Sequence, residues 1–213
     1  SRAFELAGIT SETPDPVDGR IERDAAGRPA GTLHEGASSA VTDLLPEVSD
    51  EFAALGLRSA QSYLHSLGVT AWQDAMLGNG LGMKDATDTY LDALAAGELT
   101  MRVVGAMWWE RDGGLEQLDS LIARRDRIAA ADPTGRVRAS SVKIMVDGVA
   151  ENFTAALSEP YRDSAGHATD NSGLSFIPPQ DLKRFVTALD DAGFQVHFHA
   201  LGEQRLGTEA VLG

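Results

Sequence analysis

Helical and strand patterns alternate along the chain from residue 49 onward, and this alternation constrains the fold more than any other feature. Segments with apolar residues at helical spacing separate four apolar strand segments, and a long loop rich in Ser, Asp, Asn and Gly interrupts them once. The predicted strands are 69–74, 101–108, 137–146 and 194–199, and the loop is 147–179. Such alternation is typical of a parallel sheet. The sequence therefore predicts an α/β fold, either a small doubly wound sheet or half of a (β/α)8 barrel.

The first 47 residues lack this alternation. Two short segments, 20–24 and 31–35, flank a turn-rich connection and predict a β-hairpin. We expect 1–47 to be a separate subdomain with no βα repeat of its own.

The charge balance excludes several classes of partner. The chain of 213 residues has 18 Lys and Arg against 32 Asp and Glu, a formal net charge of −14. A nucleic-acid binder or a polybasic membrane-surface module needs a basic face, so neither is expected. Cysteine is absent, which excludes disulfides, thiolate metal sites and a Cys nucleophile. Without a signal peptide or a long apolar run, we expect a cytoplasmic protein with a small-molecule substrate; a homo-oligomer is left open.

Lys143 is the most unusual residue of the predicted sheet. It is one of only three lysines and lies within an otherwise apolar strand. A buried ammonium must lose its charge or find a counter-charge. A neutral amine there could act as a nucleophile or react with carbon dioxide to become a carbamate, which would suit a bridge between metal ions. The alternative is an edge-strand lysine whose head group reaches water.

Two histidines lie near the end of the last predicted strand. His197 and His199 are two residues apart, so both should point to the same face of the sheet. His199 precedes a glycine-containing turn at the C-terminal end of the strand, where α/β enzymes place their sites. We favour a metal ligand for His199, and a core histidine bonded to a backbone carbonyl for His197.

Three further residues are candidates for substrate contact. Asp147 directly follows the strand of Lys143, although Asp147 and Gly148 could equally form a plain turn. Tyr161 lies in the long loop and either borders the substrate or packs within the loop. Trp72 is expected in the core or in a pocket wall.

Four groups of segments, taken jointly and in this order, resemble the amidohydrolase superfamily. They resemble specifically amidohydrolase family 3, which includes N-substituted formamide deformylases. The matching segments are 1–10 with 19–24, 67–74, 142–148 with 154–161, and 196–202.

The resemblance implies a distorted (β/α)8 barrel with a centre of one or two divalent metal ions, usually zinc. Lys143 matches the lysine that ends strand four, often carboxylated, and His199 the histidine that ends strand five. We therefore expect 48–213 to be a partial metal-dependent hydrolase barrel, approximately strands two to five. On the same grounds, 1–47 would be an inserted α+β subdomain over its mouth.

The resemblance also has gaps. The family's His-x-His of strand one should precede residue 1, and its acid–base aspartate should follow residue 213. Gly202-Glu203 stands where the family has Gly-Asp. We expect an internal fragment that alone holds no tightly bound metal and hydrolyses nothing.

Two functions remain open at this point. One is a metal-dependent amidohydrolase that cleaves a C–N bond of an amide, N-acyl or N-formyl compound through a metal-activated water. The other is a non-catalytic or regulatory relative that keeps the barrel but lacks the metal site.

Overall fold

The computed structural model describes residues 1–203, which divide into two compact units. The first unit comprises 1–47, 147–176 and 201–203, and the second comprises 48–146 and 177–200. The break after residue 47 coincides with the end of the predicted N-terminal subdomain. The long loop and residues 201–203, which the sequence placed with the barrel, group with the first unit instead. The sequence also predicts a helix over 203–212, and this segment lies almost wholly outside the described residues.

The first unit contains the predicted hairpin. Its N-terminal part comprises α1 (Arg2–Leu6), β1 (Gly19–Arg23), β2 (Pro29–Glu35) and α2 (Ser39–Thr42). The two strands pair antiparallel, which confirms the hairpin. A small core forms because apolar side chains from α1, β1 and the turn after β2 are buried together; it consists of Phe4, Ile9, Ile21 and Ala37.

The long loop of the first unit is folded back on itself. Leu157 N–H donates to Ser172 O at 2.8 Å, and Tyr161 N–H donates to Asn171 O at 2.8 Å. An isolated antiparallel bridge also joins Asp147 to Ser175. The loop is therefore held by backbone hydrogen bonds between its two arms.

The second unit is a parallel four-stranded sheet with helices between consecutive strands. The strands β3 (Ala71–Leu77), β4 (Arg102–Trp108), β5 (Val137–Met145) and β6 (Gln195–His199) lie in chain order. The helices are α3 (Asp50–Ser66), α4 (Thr87–Ala95), α5 (Leu118–Ala131) and α6 (Pro179–Asp191). All strand pairs are parallel, which confirms the predicted α/β class. The assignment of these strands to barrel positions two to five stays a prediction.

Local sequence signals account for the start of α3 but not for its packing. Ser49 caps the helix by accepting a hydrogen bond from Phe52 N–H. The helix has no buried residue, and large apolar side chains such as Leu55 and Tyr63 are exposed. Its small residues Ala53, Gly56 and Ala60 line a cavity of about 250 Å³ that Trp72 also lines.

A buried carboxylate fixes the turn between α5 and β5. Asp132 is 3% exposed and accepts hydrogen bonds from Thr134 N–H at 3.0 Å and Val137 N–H at 2.6 Å. Burial acts to raise the pKa of Asp132, but hydrogen bonds from Thr134, Val137 and Arg136 outweigh it and hold the pKa below its ordinary value. The ionised carboxylate is thus part of the fold.

A second buried carboxylate, Asp147, holds distant parts of the first unit together. It is 3% exposed and accepts three backbone hydrogen bonds, from Ala156 at 3.0 Å, Leu201 at 2.9 Å and Gly202 at 2.6 Å. A Cβ on Gly202 would collide with the carbonyl of Ala156, so only glycine allows this approach. Asp147 and Gly202 together fix the start of the long loop to residues 201–202.

No helix within residues 1–203 combines the length and the apolar character that crossing a membrane requires.

We expect Asp132→Asn to lower the free energy of unfolding by about 1–3 kcal/mol at neutral pH, because an amide cannot accept all of these hydrogen bonds. A depressed folded-state pKa gives stability that is present above the unfolded value of about 4 and is lost as pH falls through the folded value. The difference between wild type and variant should therefore shrink below about pH 4. Urea unfolding of the full-length protein across pH measures this. Asp126→Asn, an exposed carboxylate on α5, is the control, and equal effects of both substitutions would contradict the prediction.

Asp147→Asn should destabilise the first unit by about 1–3 kcal/mol, because one amide oxygen cannot satisfy three buried N–H donors. Hydrogen exchange at the amides of Ala156, Leu201 and Gly202 should accelerate. Asp163→Asn is a matched control, since Asp163 also accepts backbone hydrogen bonds in the same loop but is exposed. Unchanged exchange at Leu201 and Gly202 would show that Asp147 does not anchor this segment.

Candidate functional site

Three strands of the second unit place one side chain each in a row across the sheet. Lys143 on β5 is paired with Trp108 on β4 and with His197 on β6. Paired residues of a parallel sheet point to the same face, so the three side chains are neighbours. We call Trp108, Lys143 and His197 the Lys143 row. It lies near the C-terminal ends of the strands, the edge where open α/β sheets and barrels bind ligands.

Lys143 is buried without an acidic partner. It is 7% exposed, and within residues 1–203 its ammonium forms no hydrogen bond or ion pair. Burial lowers the pKa of Lys143 below its ordinary value. Burial thus disfavours the charged form relative to an exposed lysine, and the role of Lys143 stays a prediction.

His197 lies in the same environment. Its Nδ1 is buried and has no hydrogen-bond partner within residues 1–203. Burial, with a smaller effect from the neighbouring charge of Lys143, lowers the pKa of His197. The sequence favoured a core histidine bonded to a backbone carbonyl, but that bond is not formed at Nδ1. A neutral imidazole with an unpaired nitrogen is able to bind a ligand.

His199 is the last residue of β6 and is paired with Met145, two residues beyond Lys143. It therefore points to the same face as His197 and Lys143, as the sequence predicted. Ser141, two residues before Lys143 on this face, has a buried hydroxyl oxygen with no partner among the described residues. Two polar atoms without partners on one face indicate that this face is built to contact something further.

The nitrogen donors of this face suit a divalent metal in type. Neutral histidine is a common zinc ligand, and Lys143 could supply either its amine or the carboxylate formed with carbon dioxide. Within residues 1–203 there is no group of three or more His, Asp or Glu side chains arranged to hold a metal ion. Lys143 and His199 therefore fit a metal centre but do not complete one, since a catalytic zinc has three protein ligands.

Trp72 is not brought together with Lys143. It is paired with Val103 on β4, and Val103 and Trp108 point to opposite faces because they are an odd number of residues apart. Its indole N–H donates to the hydroxyl of Tyr90 on α4 at 3.3 Å. The substrate contact predicted for Trp72 stays a prediction, and this placement does not favour it.

Trp72 lies farther from the C-terminal end of its strand than the sequence predicted, because β3 extends beyond the predicted end. The sequence ended this strand at Asp74, whereas it continues to Leu77. Trp72 is thus near the beginning of the strand. Asp74 accepts a hydrogen bond from the Tyr90 hydroxyl at 2.9 Å, and burial together with the charge of Asp74 raises the pKa of Tyr90.

The sequence predicts only that Trp108, like Trp72, lies in the core or in a pocket wall, whereas Trp108 ends β4 and is a member of the Lys143 row. The available signal was its place as the last apolar residue of β4 before a polar, glycine-containing segment, 110–114.

Asp147 and Tyr161 belong to the first unit. The Tyr161 hydroxyl donates to Ala155 O at 2.9 Å, and its ring contacts Phe153 edge-on with the ring centres 5.3 Å apart. Burial and the charge of Asp147 raise the pKa of Tyr161. Asp147 uses its carboxylate on backbone N–H groups, which favours a positioning role over direct substrate contact. Neither residue has been tested for substrate contact, so both stay predictions.

Comparison with known proteins gives a consistent result. A model of the amidohydrolase family matches residues 1–212. YtcJ of Bacillus subtilis (strain 168) is 29% identical over 212 residues, which cover 100% of this chain and 37% of YtcJ. The N-substituted formamide deformylase of Arthrobacter pascens is 36% identical over 107 residues, which cover 46% of this chain and 18% of that protein.

A solved structure has the same fold. The crystal structure of an uncharacterized metal-dependent hydrolase from Pyrococcus furiosus matches with a TM-score of 0.62 and 21% identity, covering 99% of this chain and 40% of that chain. The present chain thus spans less than half the length of these proteins. Because the family model extends over almost the whole sequence, the chain belongs to the amidohydrolase family.

Proposed function

We propose that the full-length protein is a metal-dependent amidohydrolase that hydrolyses a C–N bond of an amide, N-acyl or N-formyl compound. The observation that carries the proposal is Lys143, a buried lysine with no counter-charge among residues 1–203, next to His197 and on the same face as His199. A structural role would be served better by an apolar residue, because burial of an unpaired ammonium is costly. Family membership and the metal-dependent hydrolase of the same fold support this function.

In this proposal Lys143 and His199 hold the metal, most simply zinc, as one or two ions. The bound metal would polarise the scissile carbonyl and lower the pKa of a water molecule. Lys143 would bind through its amine or, after its nitrogen bonds to carbon dioxide and releases a proton, through the resulting carboxylate. Both forms require an uncharged amine first, and burial of Lys143 lowers its pKa and so acts in that direction.

Other residues act through position. Asp147 holds the backbone of Leu201 and Gly202, which follow His199 in the chain, and so restrains the segment that leaves β6. Tyr161 keeps acceptor lone pairs on its hydroxyl and stays a candidate for substrate contact. The substrate would be a small amide, and we retain a cytoplasmic location as part of the proposal.

Glu203, where the family has aspartate, was the sequence feature that suited a non-catalytic relative. Its carboxylate accepts hydrogen bonds from Ser158 N–H at 2.9 Å and from the Ser158 hydroxyl at 2.8 Å. These bonds give Glu203 a structural role within the first unit, so the substitution does not favour loss of the metal site.

Lys143→Met in the full-length protein should abolish stoichiometric metal binding and reduce the rate of amide hydrolysis more than about 100-fold. Mutation of residues that only hydrogen-bond to metal ligands already costs up to about 100-fold, so loss of a ligand should cost more. His199→Ala should behave in the same way. Metal content measured by mass spectrometry and release of amine from N-formyl and N-acyl compounds test both effects. Lys183→Met removes an exposed lysine on α6 and is the matched control.

Two results would contradict the proposed function. One is a full-length protein that contains no zinc, iron or manganese and gains no activity when these ions are added. The other is a Lys143→Met variant that keeps both its metal and its rate.

A further inference from the structure

Trp108 is the member of the Lys143 row that cannot act as a metal ligand. It is the last residue of β4, and its side chain lies on the same face as Lys143 and His197. The ring is partly buried, and its indole N–H forms no hydrogen bond within residues 1–203. A large aromatic side chain with an accessible ring therefore stands beside the proposed metal ligands.

The turn after β3 fixes one face of this indole. A Cβ placed on Gly80 would overlap the fused bond of the Trp108 ring system, and a Cβ on Gly78 would lie 3.0 Å from the Trp108 Cβ. The two glycines let the backbone of this turn pack directly on the ring. Since Gly78 also has a φ of +145°, a side chain there would be strained in any case. The indole is thus held against a rigid surface.

Lys143 lies on the strand at the other side of β4 from this turn. The sheet order is β3, β4, β5, so the turn after β3 and the side chain of Lys143 lie on opposite sides of Trp108. The Gly80 backbone covers one side of the ring, and the proposed metal ligand Lys143 is the neighbour of Trp108 in the adjacent strand. A preorganised aromatic face of this kind loses little entropy when a planar group stacks on it.

We propose that Trp108 is a specificity-determining residue that stacks on an aromatic substituent of the amide substrate. The inference rests on the proposed function for the identity of the reacting group. It assigns the substrate class more narrowly, to amides that carry a planar aromatic group next to the scissile C–N bond. A saturated ring of the same size fills the same space but lacks the flat face that stacking requires.

The test compares two matched pairs of compounds in the full-length, metal-depleted protein, where no turnover disturbs binding. The pairs are N-phenylformamide with N-cyclohexylformamide, and benzamide with cyclohexanecarboxamide. Dissociation constants come from isothermal titration calorimetry. We expect the aromatic member of at least one pair to bind about 2- to 10-fold more tightly, the range that an aromatic pair contributes beyond its buried area. Trp108→Leu should abolish this preference, and Trp108→Phe should retain most of it.

Trp72→Leu is the comparison variant, because it removes a tryptophan from the opposite face of the same sheet. It should change the affinities of both members of a pair by the same factor. Trp108 would be a packing residue only, and the inference would be overturned, if Trp108→Leu weakened both members equally. A wild-type protein without aromatic preference in either pair would overturn it as well.

Hydrolysis of the same four compounds by the metal-loaded protein separates this inference from the proposed function. Hydrolysis with no aromatic preference, unchanged in Trp108→Leu, would support the function and overturn the role of Trp108. An aromatic preference in binding that depends on Trp108, without hydrolysis of any amide, would overturn the function and support the aromatic contact.

Discussion

The parallel hydrogen-bonded register of β4, β5 and β6 determines which side chains of the second unit can act together. It persists to the ends of the strands, where Trp109 N–H donates to Lys143 O at 3.0 Å and Val146 N–H donates to His199 O at 2.9 Å. Side chains alternate between faces along a strand, so a slip of one residue in β5 would turn Lys143 to the other side of the sheet. The row of indole, amine and imidazole exists only in this register. The site therefore depends first on backbone pairing and only then on side-chain chemistry.

Lys143 makes the sheet less stable than it could be. The neighbouring residues of β5, Val142 and Ile144, are fully buried, and an apolar side chain at 143 would avoid the loss of hydration that an amine suffers. The structure compensates neither with a carboxylate nor with a hydrogen bond inside residues 1–203. A costly, uncompensated group at the C-terminal end of a strand is typical of a functional position.

Much of the second unit could be predicted from local sequence signals, whereas the residues around the row could not. The cap at Ser49 and the alternation of helices and strands depend on neighbours within a few positions, so they are legible in the sequence. Asp74 is different, because its polar side chain suggested the end of a strand, while a hydroxyl 16 residues away allows it to remain inside β3. The strand continues to Leu77, so Trp72 lies near its beginning.

The role of Asp147, the acidic residue after β5, also could not be predicted from neighbouring residues in the sequence. A carboxylate following a strand is a natural candidate for substrate contact, but Asp147 meets backbone N–H groups 9, 54 and 55 residues away, and Gly202 is required for the closest of these approaches. A carboxylate whose oxygens accept buried backbone N–H groups is fixed in position, and this makes it a good anchor. The buried polar side chains thus fall into two groups, those with hydrogen-bond partners and those without partners among residues 1–203. Carboxylates with many N–H donors hold the backbone, while the amine of Lys143 and Nδ1 of His197 have no hydrogen-bond partner in the described part of the chain and stay candidates for chemistry.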